Sequence, residues 1–372
     1  MTRALIVGGG IGGMSCAITL RGLGVEVDLI DLDPQWRVYG AGITITRPSW
    51  RAFRRLGVLD ELMEVGFGGD GIQICNAQGE HIGRVDDPDM QGEDLPGSGG
   101  IMRPELHRVL SSRVLSLGAN VRLGLTVNAL QTVGDAVNAR LSDGTADTYD
   151  LVIGADGLFS GVRKLILPDA PAPTYTGQSI WRLFAPRPAN IDRRHFFLGG
   201  KHKVGLSPVS STHLYLFLPE TTPRRGIIPD RELHLHLREL LQGYAGPLVE
   251  LREGLSESSP IVLRPLEAFL MPPPWHNGRV LLVGDAAHPT TPHLASGAGM
   301  AVEDAIVLGE ELAAAQHDVP AAFAAFTRRR WDRCRAVVEN SIEIGRREQA
   351  GRPAAEQTEL IAKTLALMAK PL

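Results

Sequence analysis

Apolar and polar positions along the chain follow a few simple patterns, and each pattern predicts an element. Residues 4–7, "ALIV", are continuously apolar, as in a strand buried on both faces. Residues 11–23 carry small and apolar side chains at helical spacing and stop at Gly24, a residue suited to the left-handed position after a helix. A second apolar strand, "VEVDLI", ends on Asp31. Residues 50–63 and 102–118 repeat the helical spacing. "NVRLGLTVNAL" and "AVNARLSDGTADTYDLVIGADG" alternate like strands joined by tight turns. Segment 86–100 is acidic and rich in Gly and Pro, which predicts a loop, either a surface connection or an active-site lid.

Past Pro168 the pattern changes. Residues 171–270 hold proline, aromatics and alternating runs such as "SIWRLFAP" and "THLYLFLP". "GGK" at 199–201 separates two such runs and predicts a hairpin, and "ELHLHLRELLQGY" predicts a helix inside this unit. Strand character returns in "RVLLVGDAAH", and 297–350 reads as helical. The expected architecture is α/β with an α+β insert. A discontinuous Rossmann-like dinucleotide-binding domain comprises 1–70, 101–170 and 275–345. An antiparallel-sheet substrate domain comprises 71–100 and 171–274. A C-terminal helix, 346–372, packs either on its own domain or on a neighbour, so the chain is expected as monomer or homodimer.

Composition narrows the function classes. A net charge of −4 over 372 residues gives no reason to expect nucleic acid or an anionic membrane as partner. Cys16, Cys75 and Cys334 lie far apart, without redox-pair or zinc spacing, so no metal is expected. Sparse thiols and the lack of a bilayer-length apolar run lead us to expect a cytoplasmic protein.

The chemistry starts at Gly8, Gly10 and Gly13, which have the G-x-G-x-x-G spacing. Gly8 suits the tight turn, Gly10 lets backbone approach a diphosphate, and Gly13 lets helix and sheet pack closely. Ile11 and Gly12 open the helix, whose free N–H groups favour an anion. Asp31 ends the second strand, where its carboxylate can accept both hydroxyls of an adenosine ribose. NAD and FAD satisfy this stretch equally.

Two later motifs separate them. "DLVIGADGLFSGVR" (150–163) runs a strand into Asp156-Gly157, and "GRVLLVGDAAHPTTPHLASGAGMAVEDA" (278–305) delivers Gly284-Asp285 before a small-residue helix. With the glycine fingerprint, in this order, these residues resemble the class A flavoprotein monooxygenases, the family of para-hydroxybenzoate hydroxylase, over about residues 3–345. The resemblance is nearest to single-component salicylate, hydroxynicotinate and urate hydroxylases. It implies FAD as the bound cofactor and NADH or NADPH as transient co-substrate. It also implies O2 and a small aromatic substrate, hydroxylated through a flavin C4a-hydroperoxide.

By that resemblance Asp285 bonds the flavin's ribityl region, and Gly297, Ala298, Gly299 and Met300 turn backbone N–H groups toward the flavin ring. Arg37, Gly42, Arg103 and Val127 match cofactor-contacting positions, and Asp156 and Arg37 are candidates to aid nicotinamide docking. Ala295-Ser296-Gly297 departs from the family's frequent Gly-Gln-Gly, and Gly299 replaces an Asn. On the insert, alternation puts His213, Tyr215 and Phe217 on the candidate pocket face. Tyr215 is a candidate proton relay, and Pro292 a lining residue. Arg182, Lys203 and His195 are candidate cations for a carboxylate or phenolate, or else ordinary sheet residues. Lys203 stands where the urate enzyme has an arginine. His288 and His293 are expected to cap the proline loop. The alternatives are a reductase of the same fold without oxygen insertion and a non-enzymatic flavin-binding protein. No second glycine fingerprint or redox cysteine pair supports a glutathione-reductase-like enzyme.

Overall fold

The computed structural model describes residues 2–38, 40–90, 92–223, 228–316 and 318–372. Strand β1 (Arg3–Val7), helix α1 (Ile11–Gly22) and strand β2 (Glu26–Asp31) form the expected parallel unit. β1 lies inside a six-stranded sheet whose order is His276–Asn277, Val280–Leu282, Leu151–Gly154, β1, β2, Asn120–Leu123. Ala4 to Val7 are at most 2% exposed, so both faces of this sheet are covered, as the continuous apolar run requires; α1 and the three-stranded antiparallel sheet of Val127–Val133, Ala136–Leu141 and Ala146–Tyr149 pack against it. The helix Gly297–Ala314 packs against α1 at small residues. A Cβ on Gly309 would stand 2.4 Å from Thr19 Cγ2.

The insert builds a seven-stranded sheet in the order Ile261–Ala268, Thr174–Pro186, His213–Thr221, Val204–Pro208, Arg194–Leu198, Ile72–Asn76, His81–Val85. Leu214, Leu216 and Leu218 pack on its outer side with Leu233 and Leu237 of the helix Asp230–Leu240. The alternate residues, Tyr215 and Phe217, face the nucleotide side. A smaller sheet joins Gly42–Ile45, Gly97–Met102 and Phe67–Gly69 at the junction.

Two expectations need correction. The 50–63 helix is two helices, Arg47–Leu56 and Leu59–Val65, parted at Gly57, whose φ of 79° ends the first with a left-handed residue. The 86–100 loop closes in the strand Gly97–Met102, which its glycines hid from a propensity reading. The 297–350 stretch is helical as expected, in two helices, Gly297–Ala314 and Val319–Gln349.

The terminal helix Ala354–Ala369 packs on its own chain and buries Ile361, Leu365 and Met368. Arg51 donates to the carbonyls of Met368, Ala369 and Lys370, and Arg333 to those of Leu367 and Lys370. Two cations therefore sit on the negative end of that helix dipole. Among the described residues, no helix is long and apolar enough to cross a membrane.

Candidate active site

The glycine turn is fixed by sterics. Gly8 has φ +107°, and a Cβ there would lie 2.4 Å from the Ala155 carbonyl oxygen. A Cβ on Gly13 would lie 1.8 Å from the Gly8 oxygen. A Cβ on Gly10 meets nothing within 4 Å, because that position opens on a groove. Asp31 clamps the turn, its Oδ2 accepting from the Gly9 N–H at 2.7 Å and its Oδ1 from the Asp33 N–H at 2.8 Å. Trp36 closes the other side, donating from Nε1 to the Gly9 oxygen at 2.9 Å.

From this turn a cavity of about 550 Å³ runs past Arg103 and Asp285, along Gly297 and Ala298, to Arg182 and Tyr215 on the insert. The Arg103 guanidinium has no hydrogen-bond or ion-pair partner among the described residues. Burial pushes its pKa down, and Tyr215 and Asp285 pull it back up. The Asp285 side chain projects into the cavity, and its setting raises its carboxyl above the usual range despite the pull of His288 and Arg103. An unpaired cation, a strip of helix-start N–H groups free of side chains and a carboxylate on the wall suit a diphosphate, a polar ring edge and a hydroxylated linker.

Behind this wall lies a buried charge cluster that the sequence reading missed. Asp304 accepts from Arg330 Nε at 2.7 Å on one oxygen. On the other it accepts from the Gly284 N–H at 2.8 Å and bonds His288 Nε2 at 2.7 Å. The pairing raises the His288 pKa well above its ordinary value and holds the Asp304 carboxyl down. Arg330 also pairs with Glu303 at 2.8 Å and donates to the Met300 carbonyl at 3.2 Å. Arg163 donates to the carbonyls of Ala286 and Leu158, both at 2.8 Å, tying the two later motifs together. The cluster fixes the turn that presents Asp285.

At the far end, strand register lays side chains in rows. Phe184, Tyr215 and Ser207 are direct neighbours across three strands, and continuing the register places Arg194 next to Ser207. Arg182, Phe217, Gly205 and Phe196 form the adjacent row. Gly205 leaves room for the Phe217 ring, since a Cβ there would be 2.0 Å from the ring Cζ. The Tyr215 hydroxyl bonds Thr44, whose Oγ1 also reaches Ser207 Oγ at 3.3 Å. A side pocket of about 30 Å³ lies among Arg182, Arg194, Phe196, Lys203, Tyr215, Pro292 and His293. Burial lowers the Arg182 pKa to about 10, which leaves it charged at neutral pH.

Of the residues singled out from the sequence, Gly10, Ile11, Gly12, Gly42, Arg103, Asp285, Gly297, Ala298, Arg182, Tyr215 and Pro292 line this one cavity. Gly8, Gly13 and Asp31 shape the turn beside it. Lys203 lines the side pocket, but its Nζ pairs with Glu348 Oε1 at 2.9 Å, so its charge is already matched. The others are engaged elsewhere. Arg37 is exposed and pairs with Asp33. Val127 is buried at a strand start. Asp156 accepts from the Val162 N–H and Ser160 Oγ, capping the helix Gly161–Ile166. Gly299 gives Ser49 room, a Cβ there falling 2.1 Å from Ser49 Oγ, and Met300 is fully enclosed. His195 bonds the Arg193 carbonyl and stacks near Phe197, which belongs to the outer core. His288 bonds Asp304, and His293 bonds Thr291 through Nδ1 with its Nε2 3.2 Å from Glu348 Oε2. Thr44, His107, Arg194 and Glu348 were missed. They sit in segments whose local pattern announces only a strand or a helix.

The family model described as "FAD binding domain" matches residues 1–341. The chain belongs to this family. FAD is accordingly the dinucleotide, and the resemblance to class A flavoprotein monooxygenases holds. This FAD-binding chain is 32% identical to the putative FAD-dependent monooxygenase YetM of Bacillus subtilis (strain 168) over 99% of both chains. It is 33% identical to the aurachin C monooxygenase/isomerase of Stigmatella aurantiaca over 92% of this chain and 88% of that one. The structure of Klebsiella pneumoniae HpxO complexed with FAD and uric acid superposes with a TM-score of 0.85 at 25% identity. That match covers 100% of this chain and 97% of HpxO.

Proposed function

We propose that the protein is an NAD(P)H-driven, FAD-dependent monooxygenase that hydroxylates a small aromatic or heteroaromatic ring. The observation that carries this reading is the single cavity joining the dinucleotide turn to the insert's sheet. In it Gly10 to Gly12 and Arg103 would hold the diphosphate, Asp31 the adenosine ribose, Asp285 the ribityl chain, and the N–H groups of Gly297 and Ala298 the ring edge. Bound FAD couples oxidation of NAD(P)H to reduction of O2, so that one oxygen atom enters the ring and the other leaves as water.

The chain's own residues then position the ring and keep water out. Ile180, Phe196 and Phe217 supply apolar wall, and Pro292 closes the pocket from the cofactor side. The Tyr215 hydroxyl, held by Thr44, takes or returns a ring hydroxyl proton, which raises electron density on the carbon to be oxygenated. The HpxO complex with uric acid supports a compact heteroaromatic as the kind of occupant.

The test is a panel of phenolic acids, hydroxypyridines, purines and polyketide-like phenols offered to the yellow holoprotein. NAD(P)H loss, oxygen uptake and product mass are read together. A product heavier by one oxygen atom is expected. A saturated product without oxygen gain, or no ring-stimulated NAD(P)H oxidation with any member, overturns the reading.

A further inference from the structure

The cations of the ring pocket are unequally matched. Lys203, the cation that the sequence singles out, is neutralised by Glu348, which also holds His293 Nε2 at 3.2 Å. Arg194 has no such partner. It is 4% exposed, yet its guanidinium makes no hydrogen bond and no ion pair among the described residues, and its Nε is enclosed with nothing to receive its proton. Its guanidinium carbon stands 5.3 Å from the Phe196 ring centroid, and the Tyr215 side chain also acts on its charge. Asp87, whose charge it feels, is taken up by the N–H groups of Gly71 and Ser98 and by Ser98 Oγ. Arg182 lines the same side pocket and is likewise unpaired. Among the described residues, no carboxylate lines that pocket. Burial lowers the pKa of both guanidiniums, and Arg103 and Arg264 press further on Arg182, so two desolvated cations border one small space with only Tyr215 and Asp87 easing them.

We propose that Arg194 and Arg182 form an anion site in this side pocket, and that its occupant is a carboxylate or ionised oxygen carried by the aromatic substrate. Calling that occupant substrate rests on the monooxygenase reading; the anion site itself does not. The planar fork of Arg194, backed by Phe196, suits two-point contact with a carboxylate. Pro292 and Tyr215 border the same pocket, so an anion anchored at Arg194 leaves its ring between them. Rings with a negative group are selected over neutral ones of equal size, because a neutral group leaves both guanidiniums unsatisfied.

Benzoate and benzamide, equal in shape and differing in charge, are the probes. Their binding to the holoprotein is read by the change in flavin absorbance. Wild type is expected to bind benzoate about tenfold to a hundredfold more tightly than benzamide, the range of one charge-assisted contact. In R194M that preference falls toward one. Without ligand, R194M melts at or above wild type, since the change removes an unpaired buried cation; a residue serving only the fold would show the reverse. R194K keeps the charge and part of the preference, and its ratio decides the matter if R194M folds poorly.

No saturable benzoate binding, equal affinity of wild type for the two probes, or a preference that survives intact in R194M overturns the anion site. Benzoate binding needs no turnover. A protein that binds benzoate through Arg194 and never oxygenates a ring therefore loses only the monooxygenase reading. One that oxygenates neutral rings and ignores benzoate loses only the anion site.

Discussion

The sharpest test of the cofactor groove is Gly10→Ala, because the structure separates what this glycine does for the fold from what it does for FAD. Gly10 has φ −77° and ψ −173°, a conformation open to alanine, and its Cβ would touch no protein atom within 4 Å. The apoprotein should therefore keep its stability to within about 0.5 kcal/mol, or gain a few tenths from a stiffer unfolded chain. The added methyl enters the space where the diphosphate would approach the backbone. We expect FAD affinity to fall about a hundredfold. At a concentration that gives wild type about 2.7 kcal/mol of ligand stabilisation, such a variant retains about 0.4 kcal/mol, a deficit of roughly 2.3 kcal/mol. For a chain of this size that is roughly 3 °C in melting temperature, and only in the presence of FAD. Gly13→Ala is the contrast. Its Cβ would press 1.8 Å from the Gly8 oxygen, in the turn that the Gly8 N–H to Ile30 bond holds, so the apoprotein itself should lose about 1–3 kcal/mol. Flavin titration of deflavinated protein, with melts in both states, measures the pair. Wild-type FAD affinity in Gly10→Ala, or an apoprotein destabilised like Gly13→Ala, would refute the assignment of the groove.

Arg330→Met removes one partner from each of two buried carboxylates, leaving Glu303 to Arg333 and Asp304 to His288, and should cost about 3 kcal/mol in urea unfolding; a change under about 0.5 kcal/mol would show that the cluster does not brace the cofactor wall. Lys203 and His293 hold the Glu348 carboxyl far below its unfolded value near 4.5. Its contribution is thus complete above that value and lost as pH falls toward the folded one. The melting-temperature gap between wild type and Glu348→Gln should accordingly be widest near neutral pH and narrow in acid, whereas a constant gap would contradict the pairing. Tyr215→Phe removes only the hydroxyl at Thr44, so flavin content should hold while kcat on an identified substrate drops about tenfold to a hundredfold; unchanged kcat would remove Tyr215 from proton handling.

The cofactor end of the site was legible because its determinants are local. Gly13 closes on Gly8 within one turn, Gly10 opens outward, and Asp31 one strand away holds the Gly9 N–H, so spacing carries most of the geometry; only the contact of Gly8 with Ala155 comes from far along the chain. The small residues of the late helix show where that logic stops. Gly297 and Ala298 line the cavity while Gly299, the next residue, faces Ser49 on another helix. Helix phase against an unseen neighbour decides between the two uses, and composition does not encode it. Arg194 was hidden for a related reason. Its strand, Arg194–Leu198, is buried at every position between strands 204–208 and 72–76, so no polar–apolar alternation marks which face an arginine takes. Arg193 stands beside it in the sequence and is tied to Asp192 and Asp70 at the surface.

The helix Val319–Gln349 shows why the remainder needed the fold. Its periodicity announces a helix, and its charges look like a solvated face. Yet Arg330 reaches Asp304, 26 positions back, and Glu348 meets Lys203, 145 positions back. Eighteen residues apart, these two side chains stand about 27 Å from each other along one rod. One end holds the Gly284-Asp285 turn through Asp304, and the other holds the Pro292–Leu294 turn and the sheet through His293 and Lys203. A single rigid element thus sets the spacing between the cofactor wall and the ring pocket. The relative placement of the two half-sites depends on a segment that contributes no residue to the lining of the main cavity.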